Sequence, residues 1–215
     1  MKITKYPQSC LMIETNDKKI LIDSGSLKYK EEYLAEWSKA DIVLITHKHP
    51  DHINVEVLKE MDIVIYSTSE VSKSYPELSI NIIKEGDLFN ITSIKIEVVK
   101  AIHGYNPLLK GSKEIFENVG YIIDDGETRF YATSDTICFA NDYKVDVVAM
   151  PVTAHGVTMS SYEAALFAKE LGASLVLPIH MDNDFYPTNF EYLRELFEKE
   201  KLNYRILEIE ESVEI

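Results

Sequence analysis

At 215 residues the chain is long enough for one domain with a full hydrophobic core, and 46% hydrophobic with 27% charged residues is ordinary globular composition. The formal net charge of −14 argues against non-specific nucleic-acid binding, which depends on Lys and Arg neutralising phosphates. No stretch approaches the roughly 18 apolar residues of a membrane span, residues 1–7 hold no apolar signal core, and two cysteines do not make a disulfide framework, so a cytoplasmic protein is expected.

Apolar runs of strand length occur at 10–13, 19–22, 42–45, 63–66, 94–102, 120–123, 129–132, 145–150, 175–179 and 204–209. Their Ile, Val and Tyr content suits a pleated, half-buried surface. Helical spacing of apolar residues predicts helices over 29–37, 161–171 and 189–200, with Trp37 on the buried face of the first. Ser160 or Ser161 caps the second helix and Gly172 closes it. Asp124-Asp-Gly126 predicts a hairpin joining 121–123 to 129–132. The acidic tail from Glu208 to Glu214 reads as a solvated edge. Strands dominate the first half and alternate with helices in the second, which predicts an α/β fold of mixed sheets covered by helices, a single domain over 1–215.

Three of the six histidines sit in Thr46-His-Lys-His-Pro-Asp-His52, just after the run at 42–45. His47, His49, Asp51 and His52 are imidazole and carboxylate donors that suit zinc, manganese or iron, and no cysteine joins them as closed structural zinc sites usually require. In an extended segment residues i and i+2 point the same way, so His47, His49 and Asp51 would converge from one face. His52 would then need a second target, and two nearby metals fit better than one. Other strand-like runs also deliver a candidate ligand at their ends: His103 after 94–102, Asp135 after 129–132 and His180 after 175–179. Each alone could be a turn or core residue; the joint pattern points to a metal centre.

This pattern resembles the metallo-β-lactamase superfamily, from Leu21-Ile-Asp-Ser-Gly25 through His180, with Asn118 to Gly126 similar to that fold's central hairpin. The stretch from Met150-Pro151 to Pro178-Ile-His180 is most similar to small bacterial and archaeal metal-dependent hydrolases akin to ascorbate-phosphate lactonase. The resemblance implies a four-layer αβ/βα sandwich with the site at its edge. It implies that His47, His49 and His103 hold one metal, that Asp51, His52 and His180 hold a second, and that Asp135 bridges them. The family often has Gly before that aspartate; this chain has Ser134.

Two divalent metals, zinc foremost with manganese or iron acceptable to the same ligands, would provide hydroxide near neutral pH to attack a carbonyl or phosphorus. Asp51 would bind metal and orient the nucleophile. His155 reads either as a general acid or substrate contact at the rim, or as a loop-packing residue. The 104–113 segment reads as a lid bringing Tyr105, Lys110 or Lys113 to an anionic substrate, or as a solvated connection, and Tyr186 is a rim candidate of the same kind. The expected function is a hydrolase of a small ester-like substrate, a lactone or phosphoester, with no nucleic-acid or membrane partner. The alternatives are a nuclease-type phosphodiesterase and a non-catalytic metal-binding module on the same fold.

Overall fold

In the computed structural model, which describes residues 1–109, 111–154 and 157–215, the chain forms two mixed sheets lying face to face, each covered outside by helices. The first sheet begins with a meander, β1 (Lys2–Lys5), β2 (Leu11–Thr15) and β3 (Lys18–Ile22), and continues in parallel through β4 (Ile42–Leu44), β5 (Val64–Ser67) and β6 (Ile80–Ile82). Between these strands run α1 (Glu31–Trp37), α2 (Val55–Met61) and α3 (Ser69–Ser74). The second sheet contains β7 (Leu88–Ile91), β8 (Ile94–Lys100), β9 (Val119–Asp124), β10 (Arg129–Ala132), β11 (Val147–Pro151) and β12 (Leu175–Ile179), in the order β12-β11-β10-β9-β8-β7. Helices α4 (Ser161–Leu171) and α5 (Phe190–Lys199) cover it, and β13 (Ser212–Glu214) returns to pair with β1.

Three apolar clusters make the layers. Residues such as Ile13, Leu44, Ile96, Phe130 and Ala149 fill the space between the sheets. Phe167, Leu193 and Phe197 close the α4–α5 side, while Tyr33, Trp37 and Leu58 close the α1–α2 side. Trp37 is 1% exposed, as its helical position predicts. Helix α4 has the expected ends: Ser160 accepts from Glu163 N, Glu163 reaches back to Ser160 N, and Gly172 takes the left-handed conformation at φ +68°.

One expected strand does not form. The apolar run at 204–209 makes one bridge, Tyr204 to Val176, and no strand. This segment crosses between the two sheets: Tyr204 and Ile206 pack beneath the α4–α5 side, Leu207 enters the inter-sheet core and Ile209 reaches the α1–α2 side. A strand could not serve all three. The acidic tail is a solvated edge as expected: Glu208, Glu210 and Glu214 are exposed, and β13 is the outermost strand of the first sheet, anchored by buried Val213.

Candidate metal centre

Strands of both sheets hand their ends to one rim. The 46–52 segment follows β4, His103 follows β8 by three residues, Asp135 follows β10 by three, and His180 follows β12 directly. Two groups of ligand atoms meet there. His47, His49, His103 and Asp135 each offer an atom within 4.8 Å of the others, and so do Asp51, His52 and His180.

Asp51 does not converge with His47 and His49 as strand alternation predicts. After His49 the chain turns, with His52 N and Ile53 N both donating to the His49 carbonyl, so Asp51 swings away from His47 and His49 towards His180. The chain is not extended there, and period-two reasoning stops applying at Pro50.

Ligand spacings test whether these groups fit metal ions. Two donors each about 2.0–2.2 Å from one ion at a tetrahedral angle stand about 3.3 Å apart. His47 Nε2 lies 3.2 Å from His49 Nδ1. Asp135 Oδ2 lies 3.3 Å from both His52 Nε2 and His180 Nε2, and Asp51 Oδ2 lies 3.3 Å from His180 Nε2. The His52–Asp51 separation is wider, 4.0 Å. His103 Nε2 and Asp135 Oδ1 are buried without a hydrogen-bond partner, a cost of about 1–3 kcal/mol each that an ion would remove. His52 Nε2 also lacks a hydrogen bond, since its 3.3 Å approach to Asp135 is close in distance but poor in direction. The two groups therefore have the donor chemistry and much of the spacing that divalent metal ions require.

The other ring nitrogens support the same tautomers. His52 Nδ1 is 2.7 Å from Asp23 Oδ2, His103 Nδ1 is 2.9 Å from the Gly104 carbonyl, and His49 Nε2 is 2.8 Å from the Lys113 carbonyl. His47 Nδ1 is 3.0 Å from the Thr46 hydroxyl. A ring N–H donating to each of these oxygens leaves the opposite nitrogen as a lone-pair donor facing the cluster, the usual arrangement around ligating histidines.

Charge is divided unevenly. Burial pushes the His47 and His103 imidazoles down, His103 to about 4, so both favour the neutral, ligating form. Burial alone would raise Asp135 and Asp51, but the neighbouring His52 and His180 hold both carboxyls well below the usual range. Burial works against charge on His180 too, yet Asp135 and Asp51 carry it up to about 10.

Asp23 was not singled out from the sequence, although it too follows a strand end. Its carboxylate receives Thr46 N at 2.8 Å and the Thr46 hydroxyl at 2.9 Å besides His52. It thus orients one histidine of each group, His52 directly and His47 through Thr46. Asp23→Asn is expected to weaken metal binding by about 10–100-fold with the fold retained, measured by competition with a chromophoric chelator. Unchanged affinity would remove Asp23 from the site. Ser134 is accommodated at φ +64° by donating its hydroxyl to Asn118 Oδ1 at 2.7 Å, and Asn118 in turn donates to the Asp135 carbonyl. A second hydrogen-bonded side chain thus steadies a turn where the family often has Gly.

A cavity of about 320 Å³ opens over the clusters, with His49, Asp51 and Asp135 in its lining. Leu108, Val157 and Tyr186 give it apolar walls, and Asn106, Asn183 and Lys113 add polar groups. Lys113 and Tyr186 thus reach the mouth, while Lys110 and His155 lie outside the described residues. A larger cavity, about 490 Å³, meets the clusters only through His103. The smaller one is the better substrate site, because both groups of ligands border it.

The profile of the beta-lactamase superfamily domain matches residues 2–180. A UPF0173 metal-dependent hydrolase from Anoxybacillus flavithermus is 27% identical, with all of both chains covered. Among solved structures, a candidate metal-dependent hydrolase from Parabacteroides distasonis superposes with a TM-score of 0.80 at 27% identity, covering 96% of this chain and 92% of its own. The metallo-beta-lactamase fold protein YhfI from Bacillus subtilis gives 0.77 at 18% identity, covering 99% and 98%.

Proposed function

The chain belongs to the beta-lactamase superfamily, and on that premise we propose that it is a single-domain, metal-dependent hydrolase working with two divalent ions, zinc foremost, on a small ester-like substrate. His47, His49 and His103 would hold one ion, and Asp51, His52 and His180 the other. Asp135 would span them, Oδ2 beside His52 and His180 and Oδ1 left for the first group. The observation that carries this reading is the set of 3.2–3.3 Å spacings between ligand atoms from strand ends of both sheets.

When bound, such ions make a water acidic enough to deprotonate near neutral pH and polarise a carbonyl or phosphoryl oxygen. The chain's own residues supply the rest. Asp51, ionised and bordering the cavity, orients the attacking water by accepting a hydrogen bond from it, while its Oδ2 faces His180. Leu108, Val157 and Tyr186 hold the apolar part of the substrate and exclude bulk water, while Asn106, Asn183 and Lys113 orient its polar oxygens. At about 320 Å³ the cavity suits a small molecule rather than a polymer, in keeping with a lactone or a simple phosphoester. His155 is proposed as a rim contact or acid on sequence grounds alone, and a cytoplasmic setting fits the thiols.

Side-by-side assay against a simple lactone and a chromogenic phosphodiester, with Asp135→Asn as control, tests the reading. Turnover of the lactone, lost in the control, is the expected result. Cleavage of the phosphodiester alone would move the assignment to a phosphodiesterase. Silence on both with ions bound would contradict an ester hydrolase and leave a metal-binding module.

A further inference from the structure

The turn between β1 and β2 carries a buried glutamine that the ligand set does not use. Gln8 is 0% exposed and left-handed at φ +60°, and it faces His180, itself left-handed at φ +58°. Few residues other than glycine take that conformation, glutamine less readily than histidine, so the surroundings must hold Gln8 in it. The grip is visible. His180 N donates to the Gln8 carbonyl at 3.0 Å, Gln8 N donates to Asp182 Oδ2 at 2.7 Å, and Asp182 N donates to Gln8 Oε1 at 2.9 Å. Lys5, 1% exposed, donates to the same Asp182 oxygen at 2.7 Å.

These bonds settle which way the amide points. A backbone N–H can only donate, so the atom facing Asp182 N is the amide oxygen, and the NH₂ group faces the other way. There it stands 3.4 Å from Asp51 Oδ2 and 3.2 Å from His180 Nε2. Both are atoms of the second ligand group; no bond joins Gln8 to His47, His49 or His103 among the described contacts.

We propose that Gln8, locked by Asp182 and Lys5, is the positioning residue of the second metal site: its amide N–H fixes the Asp51 carboxylate against His180, and its backbone carbonyl holds His180 in its left-handed conformation. The inference rests on the two-ion reading. It makes one distinctive demand. Removing the amide must loosen one site and leave the other alone, whereas a purely structural residue would weaken both together.

The test is Zn²⁺ titration of the chelator-stripped protein against a chromophoric competitor, for the wild type, Gln8→Met and Gln8→Asn. Met fills the space without hydrogen bonds; Asn keeps the polarity but falls short by one CH₂, so a packing failure in one variant leaves the other to decide. The expected result is two binding steps in the wild type, with the weaker-held ion of each variant loosened by about 10–100-fold and the other step unchanged. Equal loss in both steps, or none in either, would overturn the proposal. A wild type that takes up a single ion would instead sink the two-ion reading. Imidazole ¹⁵N spectra of the stripped proteins then decide Gln8's role: His180 signals displaced in the variants with those of His47 and His103 in place would support it, and unmoved His180 signals would overturn it.

Discussion

Asp135→Asn is expected to lower turnover by about 10²–10⁴-fold and to cost the protein at least one of its ions, while the chain still folds. The carboxylate is 2% exposed, and one oxygen stands 3.3 Å from a nitrogen of His52 and of His180. Those histidines overcome the effect of burial and keep it ionised. Asparagine has the same shape and no charge. Its NH₂ group would either face the imidazole nitrogens or displace the oxygen left for the first group, so one ion loses its shared anionic ligand whichever way the amide turns. Charge stabilisation of several kcal/mol by such ions converts to the stated loss of rate. Elemental analysis and kcat on whichever ester the wild type cleaves would check it. Full metal content with kcat within tenfold of wild type would remove Asp135 from the centre.

Gly25→Ala is expected to damage the second site from behind. A methyl group there would stand 1.9 Å from the Asp51 carbonyl oxygen, 2.3 Å from its carbon and 3.0 Å from His52 N. All three are backbone atoms, with no flexible side chain to give way. The two loops are also tied together, as Ser26 donates from both its N–H and its hydroxyl to the Pro50 carbonyl at 2.7 Å. The 50–52 turn must therefore move, carrying Asp51 and His52 with it. Overpacking of this kind costs about 1–3 kcal/mol, which for a domain of this size lowers Tm by about 2–12 °C. Calorimetry should show that drop and chelator competition a selective loss of the ion held by Asp51 and His52. An unchanged Tm with both ions in place would contradict the contact.

What could be seen in the sequence was whatever local pattern encodes. The candidate ligands stood out because they follow apolar runs, and the structure does bring His47, His49, Asp51, His52, His103, Asp135 and His180 to one rim. Helix α4 was legible to the residue because Ser160, Glu163 and Gly172 fix both its ends locally. Gln8 was not legible, since its partners lie 174 and 43 residues away and only the folded sheet edge joins them. Short elements such as α3 and β6 were missed for want of enough turns or alternations to show a period. Asp23 could have been found: it follows β3 as Asp135 follows β10, and the rule that identified the others applies to it equally.

The most direct test of the two-ion hydrolase is metal analysis of the purified protein before and after dialysis against a chelator, paired with the ester assays. About two divalent ions per chain are expected, with loss of activity as they leave and its return on adding zinc. A protein that holds no divalent ion, or that turns over esters undiminished after the ions are stripped, would contradict the two-ion reading.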